Sequence, residues 1–314
     1  MKRMQLSGKR LLIILLAAVM LTAAPVLWYF LLHGRTDATI TLDGTPDPAL
    51  AGQSAHVHVV DVGQGDAILL EQGGEYALID TGTPTSKEAL TFYLDAHGVR
   101  SLKYLILTHF HADHIGGALQ ILENFQVETV LMPDLELAPI PTAYTALELL
   151  ETLEQRSSAG KLQVHIPAAG DSFALGASEI TVLGSGIPCA EDANNTSLIT
   201  LFTFDNFRYF SAGDAEAEAE AELLSRLGGT LRADLYKASH HGSSTSSTQA
   251  LLDELRPKAA VFSCGADNDY GHPHTEVTQR LLNAGTRYWR TDLEGSILFT
   301  VKDGALEIRP EKRG

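Results

Sequence analysis

The run Thr108-His109-Phe110-His111-Ala112-Asp113-His114-Ile115-Gly116-Gly117 constrains the fold of this chain more than any other segment. Three imidazoles and a carboxylate fall within six residues, directly after the apolar stretch Tyr104-Leu105-Ile106-Leu107-Thr108. The apolar stretch reads as a buried strand, and the segment from His114 onward reads as the opening of a helix. The polar side chains therefore belong to a strand-to-helix loop at a sheet edge, where a rigid scaffold displays functional groups. Nitrogen and oxygen donors at this density suit a borderline divalent ion such as Zn2+. In extended chain, residues i and i+2 point the same way, so His109 and His111 can grip one ion. Asp113 and His114, at the turn into the helix, can face a second.

Around this loop the pattern alternates strands with helices. VHVVDV breaks at Gly63-Gln64-Gly65-Asp66 and resumes as AILLE, and Gly73-Gly74 marks a hairpin before EYALIDTG. Helical spacing is expected over 86–97, from His114 to Phe125, over 142–157, after Asp214 and over 274–284. Further strands are expected near 127–132, 162–166, 178–183, 197–204, 207–211, 233–238, 259–263, 287–291, 296–301 and 305–309. The alternating glutamates of 216–222 read as a solvated helix face. Helices interleaved with hairpins predict a mixed α/β layered domain over 55–310, with 311–314 as a tail.

The order of motifs resembles that of metallo-β-lactamase-fold hydrolases, which build an αββα sandwich around one or two metal ions. H-x-H-x-D-H followed by two small residues is the signature of that family. Asp80 in LIDTG resembles the Asp that supports the metal loop, and Asp214 in SAGD resembles the carboxylate that bridges both metals. Ser239-His240-His241-Gly242-Ser243 resembles the last metal motif. The following glycine assigns the ligand to His241 and leaves His240 either to support the ligands or to contact substrate, although the two could be exchanged. The resemblance implies two divalent ions, Zn2+ or alternatively Mn2+. The first would be held by His109, His111 and Asp214, the second by Asp113, His114, Asp214 and His241. The broad family carries another metal-binding His before the Asp214 motif. Here that interval holds only His165, inside the strand-like KLQVHIP, and Asn194-Asn195-Thr196-Ser197 stands in its place. That substitution, with DVGQGDA, HHGS and YGHPH, resembles the domain found in competence DNA-uptake proteins of the ComEC type and in related exported hydrolases.

Two segments keep a plain reading beside a functional one. Gly63 and Gly65 permit a sharp turn, and the turn also brings Asp66 toward the site or serves the backbone alone. In Gly271-His272-Pro273-His274, the proline suits a helix start. The resemblance places His274, ahead of His272, against an anionic group near the metals. With Asp113, His240 and His274 form the catalytic candidates.

Compartment is read from the N-terminus. Residues 1–10 carry Lys2, Arg3, Lys9 and Arg10 and no acid; residues 11–32 are uncharged and strongly apolar. That length spans a bilayer, and the preceding cations place the N-terminus inside and the body outside. A signal peptide cleaved before Pro25 is the alternative. Residues 33–54, rich in Thr, Asp, Gly and Pro, read as a linker. Beyond residue 10 there are 19 basic against 39 acidic side chains, so the body repels polyanions at long range and shows no basic run to offset this. Cys189 and Cys264 fit no thiolate metal pattern; they are either buried thiols or, in an oxidising space, a pair.

Two cations sharing a carboxylate suit in-line displacement at phosphorus, so phosphodiester hydrolysis is the expected reaction, with DNA as a candidate substrate. The alternatives are envelope phosphodiesters, a non-phosphate ester, thioester or lactam, and a binding module on a degenerate scaffold. The chain shows none of the many membrane spans of a DNA channel, so a stand-alone exported relative is the expectation.

Overall fold

A computed structural model describes residues 37–137, 143–187 and 193–312. The first sheet begins with β1 (Ala38–Thr41), β2 (Ser54–Val59), β3 (Ile68–Gln72), β4 (Glu75–Ile79), β5 (Ser101–Ile106), β6 (Gln126–Leu131) and β7 (Gln163–His165). The second takes β8 (Ser172–Leu175), β9 (Ser178–Ser185), β10 (Leu198–Phe204), β11 (Phe207–Ser211), β12 (Leu235–Lys237), β13 (Ala259–Phe262) and β14 (Arg287–Arg290). The chain then returns to the first sheet through β15 (Ile297–Lys302) and β16 (Ala305–Pro310). Strand order is β1-β16-β15-β2-β3-β4-β5-β6-β7 in one sheet and β14-β13-β12-β11-β10-β9-β8 in the other.

Two-residue alternation decides which side chains fill which layer. In β2, Ala55, Val57 and Val59 enter the core between the sheets with Ile68, Leu70, Phe202, Tyr209 and Phe299. Leu69 and Leu78 face outward onto the helices Lys87–Ala96, Ala118–Asn124 and Tyr144–Ser158 through Leu90, Leu94, Ile121 and Leu149. Phe210, Tyr236 and Phe262 do the same on the second sheet, against helices Ala217–Leu227, Gln249–Leu255 and Thr275–Asn283. The layers run helix, sheet, sheet, helix, as the sequence predicts.

Each sheet joins a hairpin half to a parallel half. β4 through β7 are parallel, as are β11 through β14, with helices in the crossovers. Functional sites of α/β sheets lie beyond the carboxyl ends of parallel strands. Asp80 follows β4, His109 to His114 follow β5, Asp214 follows β11, His240 and His241 follow β12, and His272 follows β13. The turn carrying Asp66, between β2 and β3, lies at the same end because β2 runs parallel to β4.

Several expectations are corrected. The described part of the expected linker 33–54 is built into the sheet: Ala38–Thr41 pair with Ile308–Ala305, and Leu42 is buried. Its alternating Ala, Thr, Ile, Thr is a half-buried edge-strand pattern. The single helix expected from His114 breaks into Ala112–Ile115 and Ala118–Asn124 at Gly116-Gly117. A Cβ on Gly116 would overlap Pro84, so the chain must pass there without a side chain. The glutamate run is not wholly solvated, since Glu220 is buried and accepts the Ser247 and Thr248 amides at 2.7 and 2.8 Å. The tail begins pinned, with Glu311 and Lys312 amides donating to Ser296 and Glu294. Strand β8 and helix Gln249–Leu255 are elements that the sequence reading missed. The basic segment 1–10, the apolar run 11–32 and Cys189 lie outside the described residues; Cys264 is a buried thiol 3.5 Å from Asp292. Among the described residues no helix is long and apolar enough to cross a membrane.

Candidate metal centre

The loop after β5 is held from behind by Asp80. Its Oδ1 accepts the Thr108 amide (2.8 Å), and its Oδ2 accepts the Thr108 hydroxyl (2.6 Å) and His114 Nδ1–H (2.7 Å). Spending Nδ1 on a carboxylate fixes the imidazole and leaves Nε2 as the free donor, the usual arrangement of a metal-binding histidine. His114 Nε2 lies 3.2 Å from Asp214 Oδ2. His241 repeats the arrangement from the second sheet. Its Nδ1–H donates to Ser263 O (2.9 Å), and its Nε2 lies 3.3 Å from both Asp113 Oδ2 and Asp214 Oδ2. His109 Nε2 and His111 Nδ1 approach to 3.0 Å, with Asp214 Oδ2 4.0 Å from His109 Nε2. Ser197 sets Asp214 against His109: its Oγ accepts the Asp214 amide (3.1 Å) and lies 3.3 Å from His109 Nδ1.

This donor set fits divalent cations. Asp113, His114, Asp214 and His241 each bring a ligand atom into one small space. His114 Nε2, His241 Nε2 and Asp214 Oδ1 are buried and meet no geometric hydrogen-bond partner in the protein, so the site offers polar atoms to a bound group. Burial opposes charge on His114 and His241, yet the carboxylates, Asp214 foremost, raise both well above the ordinary imidazole range. Asp214 is held well below the usual carboxylate range by His114 and His241 in spite of burial. Buried carboxylates here demand positive charge, and a cation would supply it.

Of the doubled reading at DVGQGDA, the structure supports turn and site together. A Cβ on Gly65 would collide with the Asp113 carbonyl, so the glycine lets the two loops touch. Asp66 is fully buried, with His241 Nδ1 at 3.4 Å. It forms an ion pair with Lys237, whose ammonium is 3.9 Å from Asp214 Oδ1 and donates to Gly213 O (3.3 Å). A second group able to hold a cation, Asp66, Asp80 and His114, thus has a lysine ammonium beside it. Sequence reasoning passed over Lys237, although a lysine closing the short strand Leu235-Tyr236 just before the Ser239-His240-His241 motif was a signal.

The His240–His241 ambiguity resolves by position: His241 lies inside, and His240 stands at the pocket mouth. Both adopt left-handed backbone, φ 49 and φ 54. Such strain persists only where surroundings enforce it, and here the His240 amide donates to Gly213 O (3.1 Å) while His240 O accepts the Ser243 amide (2.7 Å). His240 Nδ1 faces Glu216 Oε1 at 3.2 Å, and Nε2 lies 3.7 Å from Asp214. Burial lowers the His240 pKa.

The order of His272 and His274 is reversed from expectation. His272 lines the pocket of about 360 Å³ with Gln64, Asp113, Asp214, His240 and His241, and Gln64 Nε2 donates to its Nδ1 (3.3 Å). Burial and the neighbouring His241 push its pKa down to about 4. His274 has both nitrogens committed to backbone: Nδ1 accepts the Ser244 amide (2.9 Å), and Nε2–H donates to Tyr270 O (3.1 Å). It braces the loop and is withdrawn as a catalytic candidate. Asn194 lines the pocket and Asn195 accepts the Glu216 amide (2.9 Å), so the pair steadies the segment after Asp214. His165 ends β7 beside Asp171 (3.6 Å), in a separate groove with Tyr104 and Phe173.

Comparison with known proteins agrees with this geometry. The chain is 29% identical to ComE operon protein 3 of Bacillus subtilis, over 84% of its own length and 35% of the relative's. It is 27% identical to competence protein ComA of Neisseria gonorrhoeae, covering 83% and 34% respectively. It therefore spans about a third of the length of these relatives. The metallo-beta-lactamase fold protein YhfI of Bacillus subtilis matches 79% of this chain and 100% of its own, at TM-score 0.54 and 14% identity. Igni18, a metallo hydrolase of Ignicoccus hospitalis, matches the same shares at TM-score 0.52 and 20% identity. The model of the metallo-beta-lactamase superfamily matches residues 60–266, two thirds of the sequence, and the chain belongs to that superfamily.

Proposed function

We propose that the chain is a metal-dependent phosphodiesterase that cleaves nucleic acid, with two divalent ions, Zn2+ or Mn2+. The observation that carries this reading is the convergence of His114 Nε2 and His241 Nε2 on Asp214 Oδ2, at 3.2 and 3.3 Å, in a pocket that two further imidazoles, His240 and His272, also line. His109, His111 and Asp214 would hold one ion; Asp113, His114, Asp214 and His241 would hold the other. When bound, the ions supply Lewis acidity toward phosphoryl oxygens and lower the pKa of a water nucleophile. The remaining steps belong to the chain. Glu216 is placed to accept Nδ1–H of His240, which leaves Nε2 toward the pocket to exchange a proton with a reacting oxygen. Gln64 donates to His272 Nδ1, so Nε2–H of that neutral ring can donate to a phosphoryl oxygen. Similarity to a relative named as a competence protein supports a DNA-related substrate. The uncharged run 11–32 behind four cations supports tethering to the membrane with this domain outside.

The test uses the full-length chain in detergent, stripped of metal and reloaded with Zn2+ or Mn2+. Substrates are labelled single-stranded and duplex DNA, a nitrophenyl phosphodiester and a lactam. Diester cleavage abolished by chelator is expected. His240→Ala should lower kcat on the order of 10²–10⁴-fold while retaining metal, and should do so more strongly on DNA than on the nitrophenyl ester, whose leaving group needs no proton. Lactam turnover without diester cleavage under either metal would overturn the assignment. Membrane fractionation of the native chain tests the tether; a soluble mature form starting near Pro25 would replace it with export.

A further inference from the structure

The loop between β13 and helix Thr275–Asn283 presents a side chain that the chemistry above leaves unused. Tyr270 is 66% exposed, yet it lines the same pocket as Asp113, Asp214 and His240. Its ring lies against His272 with centroids 5.5 Å apart and planes 20° from parallel. The loop that carries it is pinned. Asn268 Nδ2 donates to Gly265 O (2.9 Å) and His272 O (2.7 Å), and its Oδ1 accepts the His272 amide (2.9 Å). Nε2–H of His274 donates to Tyr270 O (3.1 Å). An aromatic ring on a pinned loop thus stands exposed to water, one side against His272, among the residues that line the pocket. The molecule also carries a net charge of −16, so long-range electrostatics resist a polyanion and short-range contacts must supply its affinity.

We propose that Tyr270, backed by His272, is a stacking platform for a nucleobase beside the scissile phosphate. This rests on the phosphodiesterase reading of the same centre and narrows its substrate to nucleotide diesters in unpaired strand. Every base has a π-face, so stacking of this kind tolerates any sequence. A base inside a duplex is already stacked and must first be freed.

The test compares thymidine 5′-(4-nitrophenyl phosphate) with methyl 4-nitrophenyl phosphate, which has the same leaving group and no base, on the metal-loaded full-length chain. Tyr270→Ala should lower the ratio of kcat/KM values between them about 5- to 150-fold, chiefly through KM, the size of one base–aromatic stack. Tyr270→Phe, which keeps the ring, should retain the parent's ratio. A parent ratio preserved in Tyr270→Ala would overturn the proposal. If the parent cleaves neither diester, the phosphodiesterase reading falls by itself and binding decides the platform. Tighter binding of a 2-aminopurine-containing single strand than of its abasic counterpart, lost in Tyr270→Ala, would support it; equal binding of both by the parent would overturn it.

Discussion

Lys237 places a whole ammonium in the floor of the centre with no exposure to water, and Asp66, equally buried, is the charge that answers it. Removing one partner of such a pair leaves a bare charge in low dielectric, which costs far more than the pair was worth. Lys237→Met should therefore destabilise the metal-free protein by about 3–5 kcal/mol in urea denaturation. Lys237→Met with Asp66→Asn should recover part of that loss; a double variant no more stable than the single would refute the pairing. The ligand assignment makes a separate prediction by elemental analysis. Asp214→Ala should lose most of both ions and His241→Ala about one, whereas His165→Ala should keep both. Depletion by His165→Ala as deep as by Asp214→Ala would mean that the Asn194–Asn195 segment does not stand where a histidine is dispensable.

At the scale of elements, the centre is a meeting of loops, most of them launched from the carboxyl ends of parallel strands and joined by the Asp66 turn, which leaves the antiparallel strand β2 at the same end. Its rigidity depends on glycine at the crossing points, on the left-handed pair His240–His241 and on Glu220, which ties helix Ala217–Leu227 to the segment after the histidines. Strand β1 contributes at the far edge. It covers β16, packs Ile40 against the core between the sheets and buries Leu42. Fragments beginning at residue 55 should thus be less stable than fragments beginning at 37, by at least about 1.5–3 kcal/mol for one buried leucine. Identical urea midpoints for the two would return residues 38–42 to the status of a linker.

For the whole molecule, charge is the property that travels furthest. Proteins that hold DNA through basic patches lose affinity steeply with salt because counterions are released. This chain has a net charge of −16, so added salt mainly screens repulsion between enzyme and strand. KM for single-stranded DNA should stay level or fall between 50 and 200 mM salt, as read by steady-state cleavage. A rise of a hundredfold would indicate phosphate contacts by a basic surface.

Local spacing alone identified the loop His109–His114, because so many ligand types in six residues have no rival structural use. It also predicted most strands and the layered class, since two- and 3.6-residue periodicities are local properties. The motifs around Asp80, Asp214 and His241 were legible through resemblance. Tertiary structure decided what depends on neighbours distant in sequence. It turned His272 inward and committed both nitrogens of His274 to backbone, although the two lie two residues apart in one motif. It drew Lys237 and Glu220 from strand and helix into buried charge partnerships, and it made Ala38–Thr41 a strand by pairing it with the end of the chain. Burial and pairing are set largely by contacts between residues too far apart for a local periodicity to report, from Glu220 with Ser247 in the next segments to Ala38 with Ile308 at opposite ends of the described chain.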